Sequence, residues 1–81
     1  MAILWGFVKD RDTGFGIYGI AVQADGGLAV TAVDGSYALE LPVGSHMVQI
    51  RAEMRRPITV TVYLGPEGTR QDFNLEKAVL I

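Results

Sequence analysis

Eighty-one residues fit one domain, and seven Lys and Arg against nine Asp and Glu leave a formal charge of −2, with no clustered basic surface for nucleic acid. The apolar share is 49% before ten glycines are added. Ordinary domains reach roughly 45–50% with glycine included, so disorder is excluded and some apolar surface is left over for a partner.

The periodicity predicts strands nearly throughout. The first run, Ala2 to Lys9, stops at the turn cluster Asp10-Arg11-Asp12-Thr13-Gly14. The second, Ile17 to Ala24, stops at Asp25-Gly26-Gly27, and the third, Leu28 to Val33, at Asp34-Gly35; both are hairpin signals. The fourth, Ser36 to Leu41, alternates Tyr37, Leu39 and Leu41 inward. Pro42 ends it, because proline cannot donate into a ladder. The fifth sets His46, Val48 and Ile50 on one face and Met47, Gln49 and Arg51 on the other, before a polar loop, Glu53-Met54-Arg55-Arg56. The sixth turns Ile58, Val60, Val62 and Leu64 inward, with Thr59, Thr61 and Tyr63 outward. Gly65-Pro66-Glu67-Gly68 leads to a seventh, Arg70 to Leu75, with Phe73 and Leu75 inward. The expected fold class is all-β: a seven-stranded antiparallel two-sheet sandwich over residues 1–76, then an apolar extension, 77–81, able to add a C-terminal strand. Tyr37, Leu39, Val48, Val60, Val62 and Phe73 are expected between the sheets.

Little in the chain carries chemistry. The absence of cysteine excludes disulfides, thiolate metal sites and cysteine nucleophiles. Gly14-Phe15-Gly16-Ile17-Tyr18-Gly19 spells the dinucleotide fingerprint, which needs a strand-to-helix turn that no helical pattern here supplies, so it reads as a loop. Asp10 and Asp12 could open a calcium loop, but the twelfth position, which wants a bidentate Glu, is Ala21. His46 is the sole histidine and reads as a strand residue whose polar tip finds a backbone partner. Ser36 and Ser45 have no nucleophile elbow around them, and Arg55-Arg56 reads as a solvated loop. No catalytic, cofactor-binding or metal-ligating residue is assigned, and no small-molecule ligand is expected. Met1-Ala2-Ile3-Leu4-Trp5 lacks the basic start of a signal peptide, and no apolar stretch approaches the roughly 20 residues that span a bilayer.

The punctuation is more informative. Gly6-Phe7-Val8-Lys9-Asp10, Thr13-Gly14 and Gly19-Ile20-Ala21-Val22 are followed by Thr31-Ala32-Val33-Asp34-Gly35-Ser36-Tyr37-Ala38-Leu39, then Leu41-Pro42-Val43-Gly44 and Asp72-Phe73-Asn74-Leu75. In these elements, from about Leu4 to Leu75, the chain resembles the carboxypeptidase regulatory-like domain, a transthyretin-like (prealbumin-like) sandwich. The resemblance implies a module without an active site, used for folding, spacing or interaction. His46 stands where that family has an aromatic, Glu53-Met54-Arg55-Arg56 replaces its glycine–aromatic pair, and Lys77-Ala78-Val79-Leu80-Ile81 runs past its usual end.

The family register points Leu4 and Val8 inward, which leaves Ile3, Trp5 and Phe7 on a face that should meet water. A half-exposed antiparallel strand normally alternates apolar with polar, and this one is apolar on both sides. Either the tail folds back over Trp5 and Phe7 as an eighth strand, or the patch docks on another subunit; the second is the expectation. The expected interface is Ile3, Trp5 and Phe7 with Ala78, Val79, Leu80 and Ile81. The expected function is a non-catalytic structural subunit, self-assembling through apolar terminal strands into a virion surface layer or extracellular fibre. The alternative is a detached, monomeric accessory domain of a secreted enzyme or surface receptor. Sugar stacking on Trp5, Tyr18 or Tyr63 ranks third.

Overall fold

The computed structural model describes residues 1–78. Eight strands form two four-stranded sheets: β1 (Ala2–Asp10), β2 (Ala21–Ala24), β3 (Gly27–Val30), β4 (Ser36–Leu41), β5 (Gly44–Arg51), β6 (Ile58–Leu64), β7 (Thr69–Arg70) and β8 (Phe73–Leu75). One sheet runs β4-β1-β7, with β8 also on β1; the other runs β3-β2-β5-β6. The all-β two-sheet sandwich is therefore as expected from alternation and turns.

Three details differ from expectation. The final run divides into β7 and β8, making eight strands rather than seven, and both lie parallel to β1 instead of antiparallel. The second strand starts at Ala21 rather than Ile17, and the third stops at Val30 rather than Val33. The last difference has a local cause. Thr31 is fully buried, and its hydroxyl donates to the Ile17 carbonyl at 2.6 Å while accepting from the Ile20 N–H at 2.8 Å. Its backbone also exchanges bonds with Gly19 and Ile20. Side-chain bonding of this kind replaces the ladder with a clamp, pinning the 11–20 loop to the end of β3.

The core follows the pleat. Leu4 and Val8 of β1, Val22 of β2, Tyr37, Leu39 and Leu41 of β4, Val48 and Ile50 of β5, Val62 and Leu64 of β6, and Phe73 and Leu75 all face inward and are buried. Of the six residues expected between the sheets, five are buried; Val60 packs against the core but stays half-buried. It lies on β6, which ends its sheet and so has a neighbour on one side only.

The break between β7 and β8 is stabilised from β1. Opposite it sits Gly6, where an added Cβ would lie 2.2 Å from the Gln71 carbonyl oxygen. Gln71 N–H donates to the Trp5 carbonyl at 2.8 Å, and the Phe7 N–H, left without a strand partner there, donates to the Asp72 carboxylate at 3.0 Å. The Tyr37 hydroxyl donates to the Gln71 carbonyl at 2.5 Å, and burial pushes its pKa up. The Gln71 N–H, the Gln71 carbonyl and the Phe7 N–H of this stretch are thus each taken by a named partner.

Candidate functional site

The outer face of β1 carries the site. Strand alternation that sends Leu4 and Val8 inward sends Ile3, Trp5, Phe7 and Lys9 outward, and Ile3 and Trp5 are each 41% exposed. Register on one side places Glu40, Ala38 and Ser36 of β4 opposite Ile3, Trp5 and Phe7. Ala38 and Ser36 are small, so one flank of each aromatic ring is uncovered. On the other side Arg70 of β7 pairs with Trp5, and its guanidinium lies 5.1 Å from the Trp5 ring centre and 5.4 Å from that of Phe7. Lys9 Nζ stands 5.7 Å from the Phe7 ring centre. Two cations and two aromatic rings therefore interleave along one face, each cation attracted by the ring quadrupole. Asp72 holds Arg70 in place through a 3.2 Å ion pair.

The opposite sheet differs in how its apolar residues are set. Its outer face is mixed: Gln23, Gln49, Arg51, Thr59 and Thr61 share it with Leu28, Val30, Met47 and Tyr63, all four of them exposed. The β1 face is distinguished by two aromatic rings set against two cations, the residue types enriched at contact surfaces being aromatics and Arg.

The described part of the C-terminal extension lies elsewhere. Lys77 bridges Arg55 in antiparallel fashion, and the Ala78 N–H donates to the Met54 carbonyl at 2.9 Å. Since β8 pairs Leu75 with Asp10, the extension leaves from the far end of β1, about 16 Å of strand from Trp5 at roughly 3.3 Å per residue. Ile3, Trp5 and Phe7 thus share a face, while Ala78 is not brought to it. Val79, Leu80 and Ile81 lie outside the described residues.

Where Ala78 docks, Arg55 is not the solvated residue expected from its adjacent-arginine context. Its side chain is 19% exposed and pairs with Asp10 at 2.9 Å. Asp10 also accepts from the backbone of Asp12 and Thr13, and Arg55 leads the partners that hold its carboxyl below the usual range. Of the two aspartates read as a possible calcium loop, Asp10 has its carboxylate engaged by Arg55 and by the turn, and among the described residues no group of three or more His, Asp or Glu is placed to hold a metal. The Gly14–Gly19 motif lies in the β1–β2 loop with no helix following it. Trp5, Tyr18 and Tyr63 lie respectively on one sheet's outer face, on that loop and on the other sheet's outer face, so they form no common sugar platform.

His46 is buried in β5, with its Nδ1 against the Asp25 carboxylate and its Nε2 2.6 Å from the Pro42 carbonyl. Both partners only accept, so the ring satisfies both when both nitrogens carry hydrogen. The Pro42 carbonyl first, and Asp25 with it, raise the His46 pKa above 6.5. A raised folded pKa stabilises the fold fully below 6.5 and loses that contribution as pH rises through the higher folded value. Asp10, held by Arg55, and Asp34, held by Ser36, are depressed below 3.8, so their contributions are present above 3.8 and lost as pH falls through the lower folded values. Urea unfolding across pH should therefore show a stability plateau between 3.8 and 6.5 with a decline on each side. His46→Gln should remove the alkaline decline alone; an unchanged alkaline limb would assign it to another group.

No protein-family model matches the chain, and no curated protein matches it closely enough to count as a relative. Arg70 and Ala38 are the site residues that sequence reasoning missed. Arg70 carries no local signal, because its place over Trp5 comes from a parallel pairing between distant segments. Ala38 could have been found: it alternates with Tyr37 and Leu39 in a run already read as a strand.

Proposed function

We propose that this protein is a non-catalytic structural subunit that associates through the outer face of β1, within an extracellular fibre or a virion surface layer. The observation that carries this reading is the Ile3-Trp5-Phe7 row, half-exposed on a central strand with only Ala38 and Ser36 beside the rings. A partner seated there would bury two aromatic rings already held rigid by Arg70 and Lys9, so little side-chain entropy would be lost on binding. The scaffold is proposed to be of the carboxypeptidase regulatory-like type. Its support is that the residues carrying the resemblance do turn and packing work: Gly6 admits the β7–β8 crossover, Gly35 turns at positive φ beneath the Val8 carbonyl, and Asp72 caps Phe7.

Trp5→Ser and Ala38→Arg test the proposal, the second by filling the open flank of Trp5 from an exposed position. Both should leave the circular dichroism of the sandwich intact and reduce particle size in light scattering. Particle sizes equal to that of the unsubstituted chain would remove the β1 face as the joint. Were the unsubstituted chain itself a monomer of 8.8 kDa at every concentration, the accessory-domain reading would replace this one.

A further inference from the structure

A second joint is written into the opposite sheet. β6 ends that sheet and, among the described residues, pairs only with β5. Its seven residues, Ile58-Thr59-Val60-Thr61-Val62-Tyr63-Leu64, contain no charge, no proline and no glycine, and all seven pair with β5 in unbroken register, without a bulge. Natural sheet edges are usually blunted by one of these devices, since alternate N–H and C=O groups of an edge strand point outward and template further pairing. This edge carries none of them inside the strand; at its C-terminal end the Thr69 hydroxyl donates to the Tyr63 carbonyl at 3.1 Å, which leaves that oxygen one lone pair for a partner. Pro57 and Pro66 stand just beyond its ends and limit any added strand to that length.

The other edges differ. β3 is four residues long and begins at Gly27. β4 carries Glu40, and its inward residues Tyr37, Leu39 and Leu41 are already buried, so pairing there would cover little new apolar surface. The edge formed by β7 and β8 is broken at Gln71-Asp72 and carries Arg70.

We propose that β6 pairs antiparallel with β6 of a second copy of this chain, about a two-fold axis at Thr61, joining two four-stranded sheets into one of eight strands. In that register Thr61 meets Thr61 of the second copy and Thr59 meets Tyr63 on the outer face, while Val60 meets Val62 and Ile58 meets Leu64 on the inner face. Every inner pair is apolar, every outer pair is a β-forming hydroxyl pair, and no like charges are opposed. An isologous contact demands such self-complementarity, and the absence of any charge in the strand is what permits it. The pairing also covers Ile58 and Val60, the two inward side chains of β6 that the single chain leaves half-buried. Lys77 and Ala78 do not occupy this edge, since they run beside Arg55 and Met54.

This contact stands on different residues from the β1 face and does not rest on it. It is tested in the Trp5→Ser background, where the β1 contact is removed. The chain has no cysteine, so a single introduced thiol reports on its own neighbours. Opposed Cα atoms in an antiparallel pair lie about 4.5–5.5 Å apart, within disulfide reach, so Thr61→Cys should give a covalent dimer on mild oxidation. Thr59→Cys, equally exposed but about 13 Å from its own mate in that register, should cross-link at least about tenfold less. Thr61→Lys should convert the remaining dimer to monomer with unchanged circular dichroism, because two lysines would then face each other. Equal cross-linking at both positions, or none at Thr61, overturns the register and the contact. A Trp5→Ser protein that stays as large as the unsubstituted chain instead rejects the β1 face and leaves this result readable.

Discussion

Gly6→Ala should cost about 3 kcal/mol or more, at or beyond the top of the usual range for overpacking a tight site. The added Cβ would lie 2.2 Å from the Gln71 carbonyl oxygen and 2.8 Å from the Asp72 carboxylate, and the nearest of these is backbone that cannot rotate away. Relief requires the β7–β8 crossover to lift from β1, which breaks the Phe7-to-Asp72 bond and loosens Arg70 over Trp5. A chain of this size is stable by roughly 4–12 kcal/mol in total, so the loss is a large share. In thermal melts the midpoint should fall by about 12 °C or more, at roughly 4–8 °C per kcal/mol. Gly65→Ala is the control, since its added Cβ meets nothing nearer than 3.9 Å and should be nearly silent. Equal melting of Gly6→Ala and the unsubstituted chain would mean that the crossover does not sit on Gly6.

Thr31→Val should cost about 2–4 kcal/mol, although valine matches threonine in shape. The hydroxyl is the recorded partner of both the buried Ile20 N–H and the Ile17 carbonyl, and an unpaired buried group costs roughly 1–3 kcal/mol. Thr31→Ser keeps the hydroxyl and should lose less than half as much. Urea denaturation separates the two, and hydrogen exchange should show the 11–20 loop opening first in the valine variant. If Val and Ser variants are equally stable, the clamp contributes no net stability and the loop is held by packing of Ile17 and Ile20 alone.

Much of this architecture is legible along the chain. Tyr37, Leu39 and Leu41 alternate with Ala38 and Glu40, and that alone assigns β4 and its inward face. Asp25-Gly26 and Asp34-Gly35 mark turns because glycine reaches positive φ without strain, and both glycines do so, at 83° and 85°. That β1 is apolar on both faces is legible too, but which face is inward comes from the resemblance: once its register sets Leu4 and Val8 inward, period-two geometry leaves Trp5 and Phe7 outward.

The rest was decided by which segments meet. Arg70 to Leu75 reads as one antiparallel strand, and only the route of the chain sets it parallel to β1 and splits it against Gly6. Arg55 pairs with Asp10 across 45 positions, and no local pattern distinguishes it from Arg56, whose side chain is 67% exposed. His46 looks like a lone strand histidine until the β2–β3 turn brings Asp25 to it. Side-chain alternation and turn chemistry act over a few residues, so the sequence by itself determined the all-β class, the inward faces of β4, β5 and β6 and the apolar character of both faces of β1. Strand direction, the cations stacked on the aromatic row of β1 and the position of β6 at the end of its sheet depend on pairing between distant backbone segments, and only the tertiary structure decided them.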